Sequence, residues 1–292
     1  MFIPLLLQNS HRQGLRPFLY LSSISPNMSI KQTVLIIGAT SGIGAGLARR
    51  IHAQGKKVIA TGRRQERLSS LTAELSGLET ANFDISDLPT LAGHIARLTK
   101  EYQDIDTVIV NASIQSMFSF TEPTSSSPES ITKEVNTNLT APMIICQTLV
   151  PHFLALEKPC SIIFISSAFA YIPVQFFPIY GPTKAGLHSF GVSLRAQLAG
   201  TNITVTDLAP AYVDTELDVM HKERMIEMLG GPDKVPKPTP LEDFLDDAMK
   251  ELDILVDGKP KREIAIGHFP EMAREAWRKA IGPLLEIFHV DG

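Results

Sequence analysis

Six short runs limit what this chain can fold into: Val34–Ile37, Lys57–Ala60, Asp106–Val110, Ser161–Ser166, Ile203–Leu208 and Ile264–Ile266. Most are apolar along their whole length and do not alternate. That is the pattern of parallel strands covered on both faces. Helical stretches lie between them. Ile43, Leu47 and Ile51 recur at four-residue spacing, and Gly55 closes the run. Strand, helix, strand in regular succession predicts an α/β fold: one doubly wound parallel sheet of the Rossmann type, with helices on both faces. A chain of 292 residues is long enough for one such domain.

Two segments break the rhythm. Residues 121–130 form a polar loop. Residues 212–240 carry Met220, Met225, Met228, Gly230, Gly231 and four prolines. Such an irregular insert after a late strand suits either a lid over a ligand or a loosely packed surface excursion. Thr239-Pro240-Leu241-Glu242 then reads as a capping-box helix start. A C-terminal helical extension is expected over about 270–290, carrying Trp277 and a break at Gly282-Pro283. Residues 1–30 lack a periodic apolar face and are read as an extension before a domain spanning 31–292. The arginines Arg12 and Arg16, the serines and the missing acids give residues 1–30 a faint mitochondrial transit-peptide character. A tail, or an upstream extension of a chain starting at Met28, is the plainer reading.

Net charge is −4, so no global basic field calls for nucleic acid. The charge is uneven, however: nine Lys and Arg precede the first acid, Glu66, as in a half that receives an anionic ligand. Cys146 and Cys160 sit in no CxxC or Cys/His cluster. A disulfide framework is excluded, and a reducing compartment, the cytoplasm, is expected. The scattered histidines give no metal-ligand spacing. No apolar run reaches the roughly 18–20 residues that span a bilayer.

Gly38-Ala39-Thr40-Ser41-Gly42-Ile43-Gly44 follows the first strand and opens the first helix. Glycines there permit a tight turn, close approach to a pyrophosphate, and close packing of helix on sheet. The helix N-terminus adds free N–H groups and partial positive charge. Farther on, Tyr180 and Lys184 lie four apart, so a helix would point phenol and ammonium into one cleft. The ammonium should lower the phenol's pKa and let it exchange a proton with a substrate oxygen. Pro182 is tolerable only in a first helical turn, which places the helix start near Tyr180.

These motifs resemble the short-chain dehydrogenases/reductases. The loop is similar to TGxxxGIG, with Ile37 for Thr. Asp84-Ile85 resembles the pair that follows the family's third strand and contacts adenine. Val110-Asn111-Ala112-Ser113 resembles NNAG, with Val and Ser departing. Pro210-Ala211-Tyr212-Val213-Asp214-Thr215 resembles PGxVxT, with Ala211 for Gly. The match covers roughly residues 33–216, and the wording from Glu134 to Leu217 is similar to the DltE-like oxidoreductase branch. The resemblance implies an NAD(P)-dependent oxidoreductase acting on a carbonyl or alcohol. It implies a catalytic group of Asn138, Ser167, Tyr180 and Lys184, with Asn138 holding a water that links Lys184 to solvent. Asn136 is a rival for that place, and Ser166 is structural. The implied cofactor contacts are Gly38, Thr40, Ser41, Gly42, Ile43, Gly44, Asp84, Ile85, Asn111, Ala112, Tyr180, Lys184, Pro210, Val213 and Thr215. Ser113 and Ala211 add side chains that could narrow the cofactor cleft. Tyr171, Phe176 and Phe177 would border an apolar substrate, with Phe169 in the core. A homodimer or homotetramer is implied through segments 131–155 and 179–199.

The second strand ends at Gly62, where an acid would select NAD by binding the ribose 2′-hydroxyl. Arg63 and Arg64 follow. A guanidinium there can grip a 2′-phosphate, so NADPH is the expected cofactor, with Arg63 ahead of Arg64. Two rivals stand beside the enzyme: a cofactor-binding regulator without turnover, and a methyltransferase. Neither needs Tyr and Lys four apart.

Overall fold

β1 (Thr33–Ile37) is buried along its whole length, because both faces of its sheet are covered. Leu35 and Ile37 pack to one side with α3 (Leu88–Glu101), α5 (Ala141–Ala155) and α6 (Tyr180–Gln197). Val34 and Ile36 pack to the other with α1 (Gly42–Ala53), α2 (Gln65–Glu74) and α8 (Leu241–Asp253). This is why the strand shows no alternation in sequence. The structure, a computed structural model, describes residues 28–122 and 125–290.

The main sheet has seven parallel strands: β1, β2 (Lys57–Gly62), β3 (Glu79–Asn82), β4 (Thr107–Val110), β5 (Cys160–Ile165), β6 (Ile203–Pro210) and β9 (Glu263–Ile266). Their order is β3-β2-β1-β4-β5-β6-β9. The chain runs outward to β3, then returns to pair β4 with β1 on its other side. The strand order therefore reverses at β1/β4, the crevice where open α/β sheets bind ligands. A two-stranded hairpin, β7 (Leu255–Val256) and β8 (Lys259–Pro260), precedes β9. α4 (Pro128–Val135), α7 (Lys222–Leu229) and α9 (His268–Ile287) complete the helices used below.

Three sequence expectations need correction. β3 is absent from the six runs because it is an edge strand, Glu-Thr-Ala-Asn, with only Ala81 buried. The capping box at Thr239 does not form. Thr239 is drawn into a bridge with Val213, its N–H bonding Tyr212 O, so α8 starts after Pro240 without a side-chain cap. Ser29 and Ile30 are buried, and Lys31 N donates to Thr107 Oγ1 at 2.9 Å. The packed chain thus begins before residue 31. Residues 1–27 of the expected extension lie outside the described residues. Among the described residues no helix is long and apolar enough to cross a membrane, no His/Cys/Asp/Glu group could hold a metal, and Cys146 and Cys160 are buried free thiols.

Candidate active site

The loop Gly38–Gly44 turns from the end of β1 into α1. A Cβ on Gly44 would lie 2.0 Å from Gly38 O and 2.5 Å from Asn111 Nδ2, so the close approach excludes any side chain there. Asn111 follows β4 and donates from Nδ2 to Gly38 O at 2.7 Å. Asn111 N and Ala112 N both donate to Ile37 O, tying that loop across the switch point. Thr215 comes within 3.3 Å of where a Cβ on Gly42 would stand. Pro210 ends β6, and Val213 is pinned by its bridge to Thr239. Asp84 and Ile85 follow β3; Asp84 accepts from Ser86 N at 2.9 Å. The strand ends thus bring the expected cofactor contacts to one edge of the sheet. The backbone N–H groups opening α1 form a cradle in which a dinucleotide pyrophosphate fits.

The two arginines after Gly62 part company. Arg64 turns to the glycine loop, donating to Thr40 Oγ1 at 2.9 Å and also to Ser41 Oγ. Its remaining nitrogen meets Glu216 at 3.0 Å, and Arg67 holds the same carboxylate at 2.8 Å. Arg63 turns outward to Asp84 at 3.5 Å. The sequence placed Arg63 ahead as the phosphate's partner, and the structure brings Arg64 nearer to the glycine loop. Neighbouring side chains diverge, and the hydroxyls that decide the direction, on Thr40 and Ser41, lie 23 to 24 residues upstream.

Ser167 leaves β5 and Tyr180 opens α6, which begins at Tyr180 as Pro182 requires. Both line a cavity of about 650 Å³ with Lys184, Ser113, Phe169, Phe176, Phe177 and Asp218 among its walls. The hydroxyls of Ser167 and Ser113 lie near enough to the Tyr180 phenol to favour its phenolate. Lys184 lies one turn on, its Nζ donating to Ile165 O at 2.8 Å and standing 5.5 Å from the Tyr180 ring centre. Burial pushes Lys184 down to about 8, partly opposed by the Asp207 charge. The expected lowering of the phenol's pKa is not found. Burial first, then the charge of Asp218, push Tyr180 up.

Asn138 sits in a π-turn, Asn136–Thr140, between α4 and α5. Such turns re-aim side chains and are frequent at functional sites. Asn138 Oδ1 accepts from Ser113 Oγ at 3.0 Å and from Ile114 N at 2.9 Å, while its Nδ2 donates to Ile114 O and Thr183 Oγ1. The carboxamide is therefore committed to holding the segment after β4. Asn136, only half-buried, has no such role. Ser113 is a site residue the sequence reading placed only as an obstruction. Its hydroxyl bonds Asn138 and favours the Tyr180 phenolate.

Tyr171 and Phe169 exchange their expected places. Phe169 is the middle residue of the 3-10 turn Ala168–Ala170 and Tyr171 follows it, and residues two apart on such a turn face different sides. Phe169 lines the cavity. Tyr171 does not. Its ring packs 4.9 Å from His188 and 6.2 Å from Trp277 of α9. Segment 212–240 forms much of the outer wall, through Tyr212, Leu217, Asp218, Met225, Leu229 and Pro236. Burial pushes Asp218 up to about 6.

Comparison with known proteins places the chain in one family. The family model described as short chain dehydrogenase matches residues 32–225. The uncharacterized oxidoreductase DltE of Bacillus subtilis is 32% identical over 195 residues, covering 66% of this chain and 75% of that protein. Serine 3-dehydrogenase of Rhizobium radiobacter is 36% identical over 193 residues, covering 64% and 74%. A solved short-chain dehydrogenase from Sphingobium yanoikuyae, in complex with NADPH, superposes with a TM-score of 0.72 at 25% identity, covering 88% of this chain and 96% of that one.

Proposed function

Because this chain belongs to the short-chain dehydrogenase/reductase family, in its DltE-like branch, and is an NAD(P)-dependent oxidoreductase, we propose that it is NADPH-dependent and interconverts a carbonyl compound of largely apolar body with its alcohol. The observation that carries this reading is the meeting of Ser167, Tyr180 and Lys184 in one apolar-walled cavity at the mouth of the glycine loop. The cofactor, when bound, supplies or accepts the hydride. In the reducing direction Ser167 Oγ donates to the substrate oxygen and holds it. Tyr180 Oη gives its proton to that oxygen as charge develops there. Lys184 Nζ, anchored by Ile165 O, provides the positive charge beneath the phenol. Phe169, Phe176 and Phe177 exclude water from the reacting carbon and favour an apolar substrate. Segment 212–240 acts as the lid.

The NADPH preference rests on Arg63, Arg64 and the missing acid at Gly62. The relative from Sphingobium was solved with NADPH, which supports it. The test is NADPH consumption against a panel of ketones and aldehydes, with NADPH binding followed separately by protein fluorescence. Tyr180→Phe should keep cofactor binding and lose turnover by roughly 10²–10⁴-fold, the usual share of a general acid. A Phe variant with parental turnover overturns the assignment.

A further inference from the structure

Asp218 lines the reaction cavity, and none of the usual structural duties of a carboxylate occupies it. It stands at the N-cap position of the 3-10 turn Val219–His221, yet its side chain does not cap that turn. Among the described residues it has neither an ion pair nor a side-chain hydrogen bond. It does not help Tyr180 ionise, because its charge opposes the phenolate. A half-buried carboxylate loses part of its hydration, and here His221 offsets that loss only in part. Such a group persists where a ligand completes it.

A second acceptor lies in the same corner. Gln115 also lines the cavity, and its buried Oε1 has no partner. His221 ties the two residues together: its Nε2 donates to Gln115 O at 2.9 Å, and its backbone N–H donates to Asp218 O at 2.9 Å. Asp218 and Gln115 thus bring acceptor oxygens to a cavity that Lys234 and Lys237 also line. Phe177 and Met225 are on the same cavity wall.

We propose that Asp218, with Gln115, is a specificity site for a hydrogen-bond donor on the substrate, a hydroxyl or an ammonium carried close to the reacting carbon. This rests on the oxidoreductase reading above and narrows it: the substrate has an apolar body and one donor group. The carboxylate accepts the donor while Ser167 and Tyr180 hold the carbonyl oxygen. The two contacts fix which face of the carbonyl meets the hydride.

The test uses the full chain loaded with NADPH and three ligands of one skeleton: acetophenone, α-hydroxyacetophenone and α-aminoacetophenone. Binding is measured by calorimetry and reduction by NADPH consumption. The parent should bind and reduce at least one donor-bearing ketone tenfold or more better than acetophenone. Asp218→Leu should erase or invert that ratio. Asp218→Asn should spare the hydroxyl preference and abolish the ammonium preference, which tells the two donors apart. Equal affinities of the parent for all three ligands, or a ratio unmoved in Asp218→Leu, overturns the proposal. Selective binding without any NADPH consumption supports the site and overturns the reductase reading instead. Circular dichroism of each variant separates misfolding from loss of recognition; if Asp218→Leu is unfolded, the ratios of Asp218→Asn and Gln115→Leu decide.

Discussion

Thr40 fills the space that any side chain at position 62 would need: a Cβ on Gly62 would lie 2.4 Å from Thr40 Cγ2. The same threonine's hydroxyl accepts from Arg64 at 2.9 Å. The exclusion of an acid at the end of β2 and the placing of a guanidinium beside the glycine loop are thus one arrangement. Gly62→Asp should push Thr40 aside, release Arg64 and move the cofactor preference toward NADH. Arg64→Ala should lower the ratio of kcat/KM for NADPH over NADH by roughly ten- to a hundredfold, the worth of one charge-assisted contact. Arg63→Ala should do less, since its side chain is more exposed and its contact is 3.5 Å long. A parent that prefers NADH defeats this account of the loop.

Ser113 is the next residue to test. Its hydroxyl donates to Asn138 Oδ1 at 3.0 Å and favours the Tyr180 phenolate. Ser113→Gly leaves the backbone in place and removes this bridge to Asn138. We expect kcat to fall about three- to thirtyfold, the effect of one neutral hydrogen bond of about 1 kcal/mol or somewhat more, with KM for NADPH little changed. An unchanged kcat shows the bridge to be incidental.

The central sheet was legible in the sequence because strands buried on both faces carry a continuous apolar signal. β3 was not, since an edge strand with one buried residue carries almost none. The glycine loop and the spacing of Ser167, Tyr180 and Lys184 were legible because the chemistry fixes residue types at fixed offsets. Ser113, Asp218 and the different directions taken by Arg63 and Arg64 were hidden. Each depends on contacts between distant segments, such as Arg64 with Glu216, 152 positions apart. The phenol's pKa was misjudged for a related reason: spacing reveals the lysine but not the depth of burial.

The start of the folded body can be located by truncation. Ile30 is buried in the cluster with β1 and α8, and Lys31 Nζ donates to Met28 O. A chain beginning at Met28 should keep the parental melting temperature. One beginning at Gln32 loses the Ile30 side chain and the Lys31–Thr107 bond. Removing a buried Ile side chain alone costs about 2–5 kcal/mol, so the melting temperature should drop by several degrees. Equal melting temperatures for the two chains refute this boundary.

Self-association is expected through α5 and α6. α5 exposes Met143 and Leu154 although it also buries Ile145, Leu149 and Phe153, so it is apolar on more than one side. Such a face is costly to leave in water. Light scattering at micromolar concentration should give the mass of a dimer or tetramer, and Met143→Lys with Leu154→Lys should shift it toward the monomer. A monomeric parent contradicts the expectation.

The alkaline limit of activity should belong to Lys184. Burial lowers its pKa from 10.5 to about 8, so the ammonium dominates below that pH and is lost above it. Reduction should therefore slow as pH rises through about 8, although Tyr180, pushed upward, still carries its proton there. Stability should move the other way. Between the folded value near 8 and the ordinary value of 10.5, the unfolded chain binds the extra proton. Lys184 thus penalises the fold below about pH 8, and that penalty is relieved as pH rises through this window. Arginine keeps its charge throughout. Lys184→Arg should lose kcat at neutral pH, because a guanidinium does not fit the Ile165 carbonyl in the same way, but its residual activity should show no limb near pH 8. Measuring kcat and the denaturant midpoint across the same pH series checks both signs. A limb that survives in Lys184→Arg assigns the titration to another group.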